Sequence, residues 1–64
     1  MNQRDKMRQL YRLHHGDMEQ CVTDYAAAER RGEVPRNSNE HGLNAEEYAR
    51  ALFNDGTRKG WIEE

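Results

Sequence analysis

Apolar positions recur at helical spacing in three stretches of the chain. Met7, Leu10, Tyr11 and His14 follow i, i+3, i+4, i+7, one face of a helix, and predict a first helix over about residues 3–14. Gly16 interrupts the run, and Asp17 is a side chain suited to capping the next helix, with Gln20 at the third position to complete a capping box. From there Met18, Cys21, Val22, Tyr25 and Ala26 form the best-ordered apolar stripe. Glu29 interrupts it, Arg30 and Arg31 suit the negative end of the helix dipole, and Gly32 suits a left-handed residue after the last turn. The second helix is therefore expected at 17–31.

Residues 33–43 have no period and contain the single Pro, so they read as a long loop that Val34 could pin to the core. Asn44, with Glu47 three positions on, opens a third helix whose buried face would be Ala45, Tyr48, Ala49, Leu52 and Phe53. Asp55-Gly56 reads as its stop, which places it at about 45–55. In the tail that follows, Trp61 and Ile62 are too apolar to remain in water and should close the core or form an interface. The pattern predicts a small all-α domain over residues 1–64, with the first two helices antiparallel or arranged as a helix-turn-helix.

Composition limits what such a domain can do. Of 64 residues only 34% are hydrophobic, and a chain of this size hides about 60% of its unfolded surface on folding. That excludes a multi-layer α/β enzyme, a barrel or a two-domain cleft. No stretch is long and apolar enough to span a membrane, and the opening residues lack the apolar core of a secretion signal. With a single Cys21 and hence no internal disulfide, the expected compartment is the cytoplasm.

The possible chemistry is equally restricted. His14, His15, Cys21 and His41 do not fall at zinc-site spacing, Cys21 lies on an apolar stripe, and the five glycines are scattered singly rather than in a phosphate loop. The sequence predicts no enzyme, no cofactor and no metal.

Charge is distributed unevenly, although the net value is only −2. The first sixteen residues carry four cations against one carboxylate, and the rest carry six against eleven. Arg4, Arg8, Arg12 and His15 share one side of the first helix at 100° per residue, a stripe able to dock on an acidic surface or on phosphates, or to serve only as a solvated face. Arg36, Asn37 and Asn39 in the loop add polar side chains. Arg58, Lys59 and Trp61 combine an aromatic ring with cations, as binding hot spots do, although the only Trp of a small domain also serves as a core plug.

The expected function is a non-catalytic protein-interaction or regulatory module, acting as a homo-oligomer or by docking on a larger protein. The alternative is a helix-turn-helix-like nucleic-acid-binding module using the basic face of the first helix. The second helix begins with Asp17, Met18 and Glu19, which repel phosphate and weaken that alternative. Tyr11, Leu13, Phe53, Trp61 and Ile62 look like more apolar surface than three short stripes can absorb, which favours self-association.

Overall fold

Asn2, Asp17 and Asn44 each begin a helix by the same local chemistry. In a computed structural model describing residues 1–37 and 42–64, these side chains accept the amide N–H three residues on, at Asp5, Gln20 and Glu47. They satisfy donors that the first turn leaves free. The helices are α1 (Gln3–Leu13), α2 (Met18–Arg30) and α3 (Ala45–Lys59), followed by a 3-10 turn, Trp61–Glu63. No strand occurs among the described residues, and the domain is all-α.

Asn44 and Glu47 form the full reciprocal capping box. Asp17 and Gln20 form only half of one. The Asp17 N–H already donates to the His14 carbonyl at 3.1 Å, so Gln20 instead turns its side-chain amide toward the Asp17 carboxylate.

α1 and α2 close with the same motif. At the end of α1 the Gly16 N–H donates to Tyr11 O and the His15 N–H to Arg12 O; at the end of α2 the Glu33 N–H donates to Ala28 O and the Gly32 N–H to Glu29 O. Both are Schellman closures. They differ in the residue that turns left-handed: Gly32 has φ 80°, whereas after α1 the position is held by His15, with φ 54°.

α3 differs from its expected length. It runs through Asp55-Gly56 and ends at Lys59, with the left-handed Gly60 as its cap. Gly56 continues the buried face set by Ala49 and Phe53, and a Cβ there would lie 2.8 Å from Ile62 Cβ and 3.1 Å from the Trp61 ring. The glycine is a packing site rather than a stop. Its missing side chain lets the 3-10 turn fold back against α3.

One core gathers Met7 and Leu10 from α1, Cys21, Val22 and Tyr25 from α2, Val34 from the loop, Ala49 and Phe53 from α3, and Trp61 and Ile62 from the turn. Tyr11, Met18, Tyr48 and Leu52 pack around it. Ile62 is 0% exposed and Trp61 5%, so the apolar surplus that favoured self-association is absorbed within one chain. Leu13, at 63% exposure, is the exception on α1. Val34 pins the loop as expected, and Gln3 Nε2 donates to Pro35 O at 3.1 Å, holding the loop against the start of α1.

Candidate interaction surface

Residues four apart on a helix stack on one side, so Arg4, Arg8 and Arg12 line one flank of α1. Tertiary contacts then give each a different role. Arg8 is drawn inward, its side chain only 22% exposed. Its Nε donates to Trp61 O at 2.8 Å and its Nη1 to Asp5 Oδ1 at 2.6 Å. Arg4 stays at the surface with its guanidinium 4.9 Å from the Trp61 ring centroid, and Arg8 approaches the same ring at 5.5 Å. These are cation–π distances. Arg12 is exposed and donates to Glu64 O.

Trp61 therefore joins two groups that are far apart in sequence. Its ring supports Arg4 and Arg8, while its Nε1–H donates to Asp55 Oδ2 at 3.1 Å. Asp55 also pairs with Arg58 at 3.1 Å and Lys59 at 3.2 Å. The hydrogen bond from Trp61, reinforced by Lys59 and Arg58, holds the Asp55 carboxyl below its ordinary value. The i, i+3 and i, i+4 pairs to Arg58 and Lys59 form because α3 continues past its expected stop at Asp55-Gly56, and the link from Asp55 to the indole exists only because the turn folds back. Arg58 and Lys59 are exposed, and Trp61 is a core residue whose carbonyl and indole N–H are both engaged.

The remaining candidates fall elsewhere. His15 is exposed at the α1–α2 corner in its left-handed conformation. Arg36 is exposed in the loop that Gln3 and Pro35 fasten to α1. Asn37 turns inward, its Nδ2 3.5 Å from Glu29 Oε1. Asn39 and His41 lie outside the described residues. His14 caps α1, its Nε2 2.6 Å from Asp24 Oδ2 on α2, a pairing no local spacing announces.

Ion pairs leave groups of both signs over among the described residues, but the carboxylates that meet no cation, Asp17, Glu29, Glu47 and Glu63, find other donors. Every described carboxylate side chain has a partner: Glu19 pairs with Arg50, Glu33 with Lys6 and Arg31, and Glu46 with Arg30. Asp5, Asp24, Asp55 and Glu64 also pair, Asp17 and Glu47 cap helices, and Glu29 and Glu63 accept from Asn37 and Tyr11. Among the cations, Arg4, Arg12 and Arg36 have no carboxylate partner among the described residues. All three are exposed.

The other reactive side chains are held in inert settings. Cys21 is 0% exposed, and burial, with Asp17 and Asp24 nearby, pushes its thiol up to about 11, far from a reactive thiolate. Burial likewise raises the Tyr25 hydroxyl above its ordinary value. The hydrogen bond to Glu63 is the main cause of a raised Tyr11 value. Among the described residues no three His, Cys, Asp or Glu side chains gather as a metal site, and no helix is long and apolar enough to cross a membrane. A shallow, open depression of about 510 Å³ runs along α3, lined by Asn44, Glu46, Glu47, Arg50, Ala51 and Asn54; Glu46, Glu47 and Arg50 are already committed to the pairs and cap above. Comparison with known families, with curated proteins and with solved structures finds no match.

Proposed function

We propose that this chain is a small, cytoplasmic, non-catalytic module that docks on an acidic surface of a larger protein through Arg4, Arg12 and Arg36. The observation that carries the reading is that these three exposed guanidinium groups have no carboxylate partner among the described residues, while the carboxylates there are held in ion pairs, helix caps or hydrogen bonds. Guanidinium presents a planar fork that matches a carboxylate with two parallel hydrogen bonds. At physiological salt, charges more than about 8 Å apart are largely screened, so the local surplus governs contact despite the net charge of −2.

Self-association has less support. A stable interface covers about 800 Å² per partner, and the core absorbs Phe53, Trp61 and Ile62, leaving Met1 and Leu13 as the exposed large apolar residues. Nucleic acid is also less favoured, because α2 begins with acidic side chains and Arg8 is turned inward.

The test is titration of the protein with a hexaglutamate peptide and with a short DNA duplex at matched salt. The variant carries Arg4→Gln, Arg12→Gln and Arg36→Gln together. At about 0.5 kcal/mol per exposed pair, the triple variant should bind the peptide about tenfold more weakly with unchanged helicity. Tighter binding to DNA, falling steeply with salt, would favour the nucleic-acid reading; peptide binding untouched by the triple variant would show these side chains to be solvated surface.

A further inference from the structure

The two residues after Ile62 lie on the same flank of α1. Tyr11 Oη donates to Glu63 Oε1 at 3.1 Å, Arg12 Nη2 donates to Glu64 O, and Arg8 Nη2 stands 3.9 Å from Glu64 Oε2. Immediately before them, Trp61 and Ile62 are core residues, whereas Glu63 and Glu64 are exposed. This short acidic segment is thus fastened at one side and solvated at the other.

We propose that Glu63–Glu64 is a built-in competitor: it covers Arg8 and Arg12 with the chemistry of an acidic partner and swings off α1 when a partner's carboxylates dock. The inference rests on the docking reading above and adds regulation of that surface. Three observations carry it. The covering groups are carboxylate and carbonyl oxygens, the acceptors a partner peptide would bring. Their contacts are long or solvent-exposed, so water and salt weaken them. The buried Ile62 acts as a tether that keeps the segment at high effective concentration.

Displacement does not require the core to open. Arg8 keeps Trp61 O and Asp5 Oδ1 as partners, so its guanidinium stays oriented and only the Nη2 edge is released. Arg8 and Arg12 are one turn apart, about 6 Å along the axis. The matching ligand is a peptide segment with two carboxylates at similar separation.

The experiment titrates hexaglutamate into the full chain at low and at physiological salt. Two double variants are compared, Glu63→Gln/Glu64→Gln and the charge-matched Glu19→Gln/Glu46→Gln. Neutralising the two side chains frees the Arg8 Nη2 edge from the Glu64 carboxylate, leaves the Glu64 carbonyl on Arg12, and so weakens the competitor without deleting it; peptide binding should tighten about two- to fivefold at low salt, the range expected for exposed ion pairs. The matched pair should change it much less, and Trp61 emission should stay constant. Equal tightening in both double variants would reduce the effect to net charge and overturn the proposal, as would no change in the first. A red shift of Trp61 emission on peptide binding would mean that the whole turn leaves the core, contradicting the tether. If neither the parent chain nor any variant binds the peptide, the docking reading fails and takes the competitor with it; binding that is present but insensitive to Glu63→Gln/Glu64→Gln sinks the competitor alone.

Discussion

The α1–α2 half of the molecule and the α3–turn half reach their shapes by different means. In the first, each helix boundary is set by hydrogen bonds between residues at most five apart: Gln20 to Asp17, Gly16 to Tyr11, Glu33 to Ala28. In the second, the decisive contacts are close packing of Gly56 against Trp61 and Ile62, and the reach of Arg8 across 53 positions to the Trp61 carbonyl. Hydrogen-bond closure tolerates substitution with modest loss, because water can satisfy an exposed amide. Packing at 2.8 Å from an added Cβ leaves no such recourse.

That contrast orders the effects of substitution. Ile62→Ala removes a side chain that is 0% exposed and should destabilise the fold by about 2–5 kcal/mol. For a domain of this size each kcal/mol lowers the Tm by roughly 4–8 °C, so calorimetry should register a large shift; a change below about 1 kcal/mol would mean that the turn is not part of the core. Gly56→Ala gains helix propensity, about 1 kcal/mol, yet must move Ile62 and the Trp61 ring. Overpacking of this kind costs about 1–3 kcal/mol, and chemical denaturation should show net loss. A stabilised Gly56→Ala variant would restore Gly56 as an ordinary helix position.

Local hydrogen-bonded caps, in either half, should respond less. Asp17→Ala and Asn44→Ala each remove a cap and should cost about 0.5–2 kcal/mol, with Asn44 the more sensitive because its partner Glu47 caps in return. Denaturant midpoints measure both, and neutrality of the pair would refute the capping account. The smallest effect has the opposite sign. His15 holds a left-handed conformation that Gly32 holds after α2 without a Cβ, and His15→Gly should stabilise by up to about 1 kcal/mol, net of the extra chain entropy of glycine. A loss of Tm in this variant would show that the imidazole makes a contact worth more than the backbone strain.

The candidate surface divides along the same line. The alignment of Arg4, Arg8 and Arg12 on one flank of α1 follows from helix period, whereas the pairing of Asp55 with Arg58 and Lys59 depends on α3 continuing past Gly56. Nor does period settle which of those cations remain available. Arg8 looks like its neighbours in the sequence, yet the fold turns it toward Trp61 O, while Arg4 and Arg12 stay outward. Trp61, readable either as a plug or as a hot spot, is a core residue that also supports the cations above it. Its ring links the basic stripe to the Arg58–Lys59 cluster, which no spacing could foretell.

The sequence by itself determined the three helices, their amino-terminal caps at Asp17 and Asn44, the left-handed Gly32, and most of the inward stripes, because these depend on period and on hydrogen bonds within a turn or two. Tertiary structure decided the length of α3, the role of Gly56, the burial of Trp61 and Ile62, and the pairing of His14 with Asp24. Each of these depends on which surfaces meet across long stretches of chain. A glycine reads as a stop from local propensity and becomes a packing site only when another segment presses against it. An arginine likewise counts as surface charge until a carbonyl from the far end of the fold reaches its guanidinium.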